Sequence, residues 1–182
     1  FGLADGGRET WAYNFIPRLI GRHPRLRLSI FGLRVNGEPD NSLLLLELGG
    51  KKDSLKLDFT PAPANRVPNA FYFWKSLRKV RDQFRLVIAV GSFIELIGVL
   101  LSPGFRKAPK IAWLRTIFVE EKAHRLPRLL RPVLLAIERF VLGKADLIIA
   151  NGDDTANFYR RLGLQVAVNR NAIDFERWRA DP

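Results

Sequence analysis

The sequence predicts an α/β fold in which a mostly parallel sheet carries helices on both faces. Apolar runs of strand length alternate with amphipathic helical patterns, and this alternation is typical of parallel α/β domains. The chain has 182 residues, of which 47% are hydrophobic, and this is enough apolar material for one well-buried domain. Charged residues make up 26%, a share that is ordinary for a globular protein, so neither disorder nor bulk membrane insertion is expected.

The first part of the chain predicts the opening elements of this fold. Residues 1–4 predict the end of a first strand, and residues 8–22 predict a helix with apolar side chains at helical spacing. Pro17 lies inside that helical pattern and is expected to kink or shorten the helix. Residues 26–35 predict a second strand, whereas the short apolar run 43–48 fits either a strand or a helix.

The rest of the chain predicts further alternation of helices and strands. The predicted helices are 71–84, 93–101, 133–142 and a last one that is capped by Asp153 and ends at Gly163. The predicted strands are 86–90, 110–114, 146–150 and 165–168.

Composition excludes several kinds of site. The chain has no cysteine and only two histidines, so disulfides, cysteine-based metal sites and His-rich metal sites are excluded, and no metal is expected. The longest apolar stretch, residues 86–101, is interrupted by Glu95 and two glycines, so a buried strand followed by a helix explains it better than a membrane span.

The chain is strongly basic, with a net charge of +12. Such a surface suggests an anionic partner, which could be nucleic acid, phospholipid headgroups or a phosphorylated substrate. Lys122, Arg125, Arg128 and Arg131 are interleaved with leucines, and this pattern fits an interfacial element that is attracted to anionic lipid. The pattern fits equally a surface helix with one buried face and one solvated face.

Two glycine-containing turns are candidate ligand sites. Gly6, Gly7 and Arg8 follow the first strand and open the first helix, where free N–H groups could bind a phosphate or a sugar hydroxyl. A simple tight turn is the alternative. Gly91 and Ser92 follow the strand at 86–90, so they are expected at the carboxyl edge of the sheet, where ligands bind in open α/β folds.

Three motifs, in order, resemble those of glycosyltransferase family 4, whose members are retaining enzymes of the two-domain GT-B architecture. The opening FGLADGGRE resembles the first glycine-rich loop of the family, which usually reads GG.E. KADLIIAN at 144–151 resembles the family's aD.iia.s strand, and it ends at Asn151, a further candidate ligand-binding residue. NAIDFERW at 171–178 resembles the pNgiD...f motif, at which the first domain is followed by the second.

The resemblance implies a division of labour between two domains. Residues 1–182 would form the N-terminal, acceptor-side Rossmann-like domain, and a donor-binding domain would lie beyond Pro182. The whole enzyme would transfer a sugar from a nucleotide-sugar to a lipid-linked or polysaccharide acceptor of the cell envelope. We expect no tightly bound cofactor, a cytoplasmic location that includes the inner face of the membrane, and little activity of this part alone.

The sequence departs from the family pattern at one strand end. Many members have a histidine after the strand that corresponds to 110–114, and here Arg115 occupies that position. Its guanidinium could bind a diphosphate or an anionic acceptor, or it could be an ordinary surface arginine. Glu120 is a second catalytic candidate because paired carboxylates can perform acid–base work, although Glu120 and Glu121 also fit a solvated pair that neutralises Lys122.

A basic α/β module that binds nucleic acid without chemistry is the alternative function. Aromatic residues between Phe71 and Trp74 adjoin Lys75 and Arg78, and such mixtures can form a stacking platform for bases. The aromatic residues, however, have core-like helical spacing and no familiar nucleic-acid motif is present. The enzyme is therefore the favoured interpretation, with no nucleic-acid partner expected.

Overall fold

The computed structural model describes residues 7–34, 54–61, 69–121 and 127–170. Contacts divide the chain into two compact units, Phe1–Asn69 with Ala172–Pro182 and Ala70–Asn171. The predicted strand at 1–4, the ambiguous run at 43–48 and the motif at 171–178 lie outside the described residues.

The first unit pairs two parallel strands with one helix. Helix α1 spans Gly7–Arg22, strand β1 spans Leu28–Arg34 and strand β2 spans Leu55–Pro61. Pro17 lies within α1 without shortening it, so that part of the prediction is wrong. The core of this unit forms where Ile16 and Ile20 of α1 are buried against apolar residues of both strands.

Strand β2 was not predicted from the sequence. Its described side chains alternate between half-buried leucines and exposed charged residues, Leu55 and Leu57 against Lys56 and Asp58. This period of two is the mark of a strand that buries one face. It pairs in parallel with β1, with Leu28 opposite Leu55.

The second unit contains a four-stranded parallel sheet in the order β3-β4-β5-β6. The strands are β3 Val87–Gly91, β4 Lys110–Leu114, β5 Leu147–Ala150 and β6 Val166–Val168. All three neighbouring pairs are parallel. Both units therefore confirm the predicted parallel α/β fold class.

Five α-helices in the described residues accompany these strands or connect to them. They are α2 Asn69–Leu77, α3 Phe93–Leu101, α4 Phe118–Glu121, α5 Arg131–Leu142 and α6 Asp153–Arg161. Short 3₁₀ turns occupy Pro103–Phe105 and Arg128–Leu130. None of the helices in the described ranges is both long enough and apolar enough to span a membrane.

Two helix boundaries differ from prediction for identifiable reasons. Helix α2 ends at Leu77, well before the expected residue 84, and the Ser102 hydroxyl donates a hydrogen bond of 2.7 Å to the Leu77 carbonyl. Helix α5 begins at Arg131 because Pro132 is tolerated in a first turn, where its missing N–H has no intrahelical partner to lose.

The two ends of α6 show which capping prediction is correct. Gly152 is the N-cap, and Asp153 is instead the first helical residue, where its carboxylate pairs with Arg170. Gly163 has φ +79° and terminates the helix as predicted. The amide of Leu164 donates to the Tyr159 carbonyl over 3.2 Å, the contact that a left-handed glycine makes possible at a helix end.

The main helices of the second unit pack side by side against its sheet. Helix α3 contacts β3, β4 and α5, and a buried hydrogen bond joins Glu138 of α5 to Tyr159 of α6. Gly98 of α3 allows close packing by α2, because a Cβ there would lie 2.8 Å from the Trp74 ring.

Candidate functional site

The carboxyl edge of the second unit's sheet brings three loops together. The amide of Arg115 donates to the Gly91 carbonyl over 2.8 Å, linking the turns that follow β4 and β3. The amide of Asn151 donates to the Leu114 carbonyl over 3.3 Å, linking the turn after β5 to β4. Gly91, Arg115 and Asn151 therefore lie at one edge of this sheet, whereas the expected clustering of Gly6 and Gly7 with them stays a prediction.

The turn after β3 brings its backbone and an acidic side chain very close together. Gly91 has φ +141°, and a Cβ there would lie 2.7 Å from the Glu95 carboxylate. That carboxylate accepts hydrogen bonds from the Ser92 amide at 2.7 Å and from its hydroxyl at 2.8 Å, while the hydroxyl accepts from the Ile94 amide at 3.2 Å. Ser92 is thus engaged in a capping box that starts α3, and Gly91 leaves the room that the Glu95 carboxylate occupies.

The turn after β4 is held from the side of α3. The rings of Phe93 and Phe118 meet edge to face with centroids 5.2 Å apart, so the first residue of α4 packs on the first residue of α3. Arg115 lies between β4 and α4 with a half-buried side chain. A guanidinium carries five N–H donors in a planar fork that suits phosphate or carboxylate groups, and in Arg115 one terminal nitrogen, Nη1, is buried.

The turn after β5 is oriented by a tryptophan. The indole Nε1 of buried Trp113 donates to Asn151 Oδ1 over 2.7 Å. This hydrogen bond fixes the orientation of the Asn151 side-chain amide and leaves its nitrogen as the remaining polar atom. Among the described residues that nitrogen has no protein acceptor. Asn151 therefore offers a hydrogen-bond donor at the same edge as Arg115.

A buried carboxyl lies behind the turn after β4. Glu138 of α5 is fully buried, and the Tyr159 hydroxyl donates to its Oε1 over 2.5 Å. Burial raises the pKa of the Glu138 carboxyl, and the hydrogen bond from Tyr159 and the nearby amides of Phe118 and Val119 offset part of that rise. Burial and the neighbouring Glu138 raise the pKa of the Tyr159 phenol. Glu138 therefore connects α5 and α6 to the first turn of α4.

The other predicted site residues lie in other parts of the chain or outside the described residues. Gly6, Lys122 and Arg125 lie outside the described residues, whereas Gly7 and Arg8 open α1 in the first unit. Glu120 is exposed on α4. Arg128 is exposed in the 3₁₀ turn before α5, and Arg131 is half-buried at the start of that helix.

Three residues of this region were missed as site residues by sequence reasoning. Glu95 could have been found, because Ser92 and Glu95 have the spacing of a capping box. Trp113 and Glu138 carry no such local signal, since their roles depend on Asn151 and Tyr159, which lie 38 and 21 positions away in sequence.

The motif order agrees with a comparison against known families. The profile of Glycosyltransferase Family 4 matches residues 5–177. The chain belongs to this family. Searches among curated proteins and among solved structures gave no significant match. Membership of family 4 indicates a transferase that handles a sugar donor and an acceptor, and the parallel α/β units are consistent with a Rossmann-like glycosyltransferase domain.

The alternative nucleic-acid module is not supported. Trp74 packs against Gly98 and donates from Nε1 to the Ile94 carbonyl over 3.1 Å, so it belongs to the α2–α3 contact. Tyr72 and Phe73 are half-buried, and Phe71 alone of this aromatic group is largely exposed. One exposed ring does not form a platform on which successive bases stack.

Proposed function

We propose that the chain is the acceptor-side half of a retaining GT-B glycosyltransferase that uses a nucleotide-sugar donor. The acceptor is a lipid-linked or polysaccharide glycan, and a donor-binding domain that follows in sequence completes the enzyme. Family membership supports sugar transfer in general. The convergence of Gly91, Arg115 and Asn151 at one sheet edge is the observation that carries the more specific proposal.

The three residues supply complementary functions at that edge. Gly91 has no side chain, and this allows the Glu95 carboxylate to pack against the backbone at that edge. Asn151 donates one hydrogen bond in an orientation fixed by Trp113, which suits a sugar hydroxyl. Arg115 supplies the positive charge for a diphosphate or an anionic acceptor group. The hydrogen bond from its backbone amide to the Gly91 carbonyl holds the two turns together.

Rate measurements on a single substitution test this proposal. The chain together with its proposed donor-binding domain is incubated with radiolabelled UDP- and GDP-sugars and with lipid and polysaccharide acceptor fractions, and labelled product is quantified. Arg115→Ala is expected to lower kcat/KM about 100-fold, the order of magnitude for losing one preorganised donor to a charged transition state. Product anomers determined by NMR test retention.

The controls separate a site residue from a structural one. Arg81→Ala removes an exposed arginine from the loop after α2, so it is expected to leave kcat/KM unchanged. Arg115→Lys keeps the charge but not the planar fork and is expected to recover only part of the rate. The chain without the donor-binding domain should give no transfer. Full activity of Arg115→Ala, or transfer by the chain alone, would contradict the assigned roles.

A further inference from the structure

The outward face of helix α5 is unusually apolar. Leu129 is 87% exposed and Phe140 is 67% exposed, and Val133 and Ile137 between them are also exposed. At 100° per residue, Val133, Ile137 and Phe140 fall within about 60° of one another on the helix surface. Leu129 lies in the 3₁₀ turn just before α5, and these four residues are here called the apolar stripe; the helix itself is about 18 Å long.

This stripe lies on the side of the helix away from buried Glu138 and Leu142, and buried Val141 borders it. Glu138, Val141 and Leu142 of α5 are buried, so the helix already has an inward face that satisfies the core. The sequence pattern left open a surface helix whose outer face is merely solvated. Instead, the outer face carries large apolar side chains in a row, an arrangement that marks a surface for a partner.

Positive charge surrounds the apolar stripe. Arg128 precedes it, Arg139 lies on its flank and Lys144 follows it, and all three are exposed. The Lys144 ammonium lies 4.8 Å from the centre of the Phe140 ring, so charge and apolar surface are in direct contact. Glu138 is the one acidic residue between positions 127 and 145, and it is buried.

A second copy of the chain fits this surface poorly. Two-fold pairing through the same patch would bring the basic flanks of one copy near those of the other, with no exposed carboxylate from α5 to neutralise them. An anionic bilayer complements both features, since acyl chains accept the apolar stripe and headgroups accept its flanking cations.

We infer that the outward face of α5 binds the surface of an anionic lipid bilayer, with the apolar stripe entering the headgroup region and Arg128, Arg139 and Lys144 contacting lipid phosphates. This binding is independent of sugar chemistry. A failure of transferase activity therefore leaves it untouched, and a failure of bilayer binding leaves the proposed transferase intact.

Co-sedimentation with vesicles tests the inference. The chain is expected to pellet with phosphatidylglycerol–phosphatidylcholine vesicles, far less with pure phosphatidylcholine, and less as salt shortens the Debye length. Leu129→Ser with Phe140→Ser is expected to weaken partitioning about tenfold or more. Arg128→Gln with Arg139→Gln is expected to weaken it by about fivefold per arginine.

Matched controls exist elsewhere on the second unit. Phe71→Ser with Leu101→Ser makes the same two chemical changes at residues that are each 54% exposed outside the stripe. Arg81→Gln with Arg85→Gln removes the same charge from exposed positions in the loop after α2. Both control variants are expected to bind anionic vesicles as the unchanged chain does. If test and control variants weaken vesicle binding equally, the binding arises from the overall charge or from non-specific apolar adsorption, and the inference is overturned.

A fluorescent probe tests the orientation directly. Because the chain contains no cysteine, Phe140→Cys and Leu101→Cys each create a single labelling site for an environment-sensitive dye. Anionic vesicles are expected to brighten and blue-shift the dye at 140 and to leave the dye at 101 unchanged. Absence of a shift at 140, or sedimentation showing a dimer that the Leu129→Ser and Phe140→Ser changes dissociate while no vesicle is bound, overturns the inference.

Discussion

The inward face of helix α5 buries an acidic residue beside Val141 and Leu142, and its outward face is largely apolar, unlike that of an ordinary surface helix. The inward face holds Glu138, a fully buried carboxyl that is bonded to Tyr159. The outward face carries Val133 and Phe140 in contact with solvent, and Leu129 is exposed in the turn just before the helix. A simple amphipathic helix would place these residue types the other way round.

This difference separates what the two faces do. A buried carboxyl is costly to desolvate, so it persists only where hydrogen bonds compensate it. Glu138 Oε1 is compensated by the Tyr159 hydroxyl of α6, whereas Oε2 lies buried without a hydrogen-bond partner near the start of α4, which follows Arg115 at the sheet edge. The inward face thus maintains the architecture behind the candidate site, whereas the outward face contributes nothing to the core and is available to a partner.

The largest expected effect comes from the inward face. Glu138→Ala leaves the buried Tyr159 hydroxyl without its acceptor and creates a cavity between α5, α6 and α4. We expect the free energy of unfolding to fall by about 2–4 kcal/mol, measured by urea denaturation. Leu129→Ala on the outward face should change it by less than about 0.5 kcal/mol. Equal losses from the two substitutions would remove the distinction between the faces.

The pH dependence of stability gives a smaller effect with a definite sign. A carboxyl whose pKa is raised in the folded state binds its proton more tightly there than in the unfolded chain. The stability that this carboxyl contributes is fully present below its ordinary pKa of 4.5 and is lost as the pH rises through its pKa in the folded state. We therefore expect the unchanged chain to lose stability, relative to Glu138→Gln, as pH increases above about 4.5.

This prediction is tested by how the difference in unfolding free energy between the two proteins changes with pH, and not by the size of that difference at one pH. Glutamine keeps an acceptor for Tyr159 but brings its own N–H groups toward the amides of Phe118 and Val119, which shifts stability equally at every pH. Denaturant titrations of both proteins across the acidic range yield the difference in unfolding free energy. A difference that does not change with pH, or that grows in favour of the unchanged chain, would show that Glu138 does not titrate as its burial implies.

The same helix shows how far the sequence could be interpreted. Alternating apolar segments identified β3, β4, β5 and β6 to within a residue or two, because each buried parallel strand is a short apolar run with a clear end. Strand β2 was missed because its period of two involves only a few residues among lysines and aspartates. Helix α5 was predicted as a helix, but nothing local shows which face of a nearly all-apolar helix points inward.

The candidate site was predictable where backbone topology decides it. Gly91, Arg115 and Asn151 follow parallel strands, so their arrival at one edge required only correct strand assignments. The groups that orient them were not predictable, because Trp113 meets Asn151 through tertiary structure. The early end of α2, next to the Ser102–Leu77 hydrogen bond across 25 positions, was not predictable either.

The smallest expected effect concerns the outward face in solution. Leu129→Ser with Phe140→Ser replaces large side chains that are mostly exposed in the folded chain, so little apolar burial is lost. A serine at either position stays in contact with water, so its hydroxyl remains solvated. The main penalty is the lost contact between Phe140 and the Lys144 ammonium, which is worth about 0.5–1 kcal/mol at an exposed site. Urea denaturation without lipid should therefore show a decrease of at most about 1 kcal/mol, and solubility should rise because exposed apolar surface promotes association. A loss as large as that expected for Glu138→Ala would mean that these side chains belong to the core after all, and the apolar stripe would then have no surface role to explain.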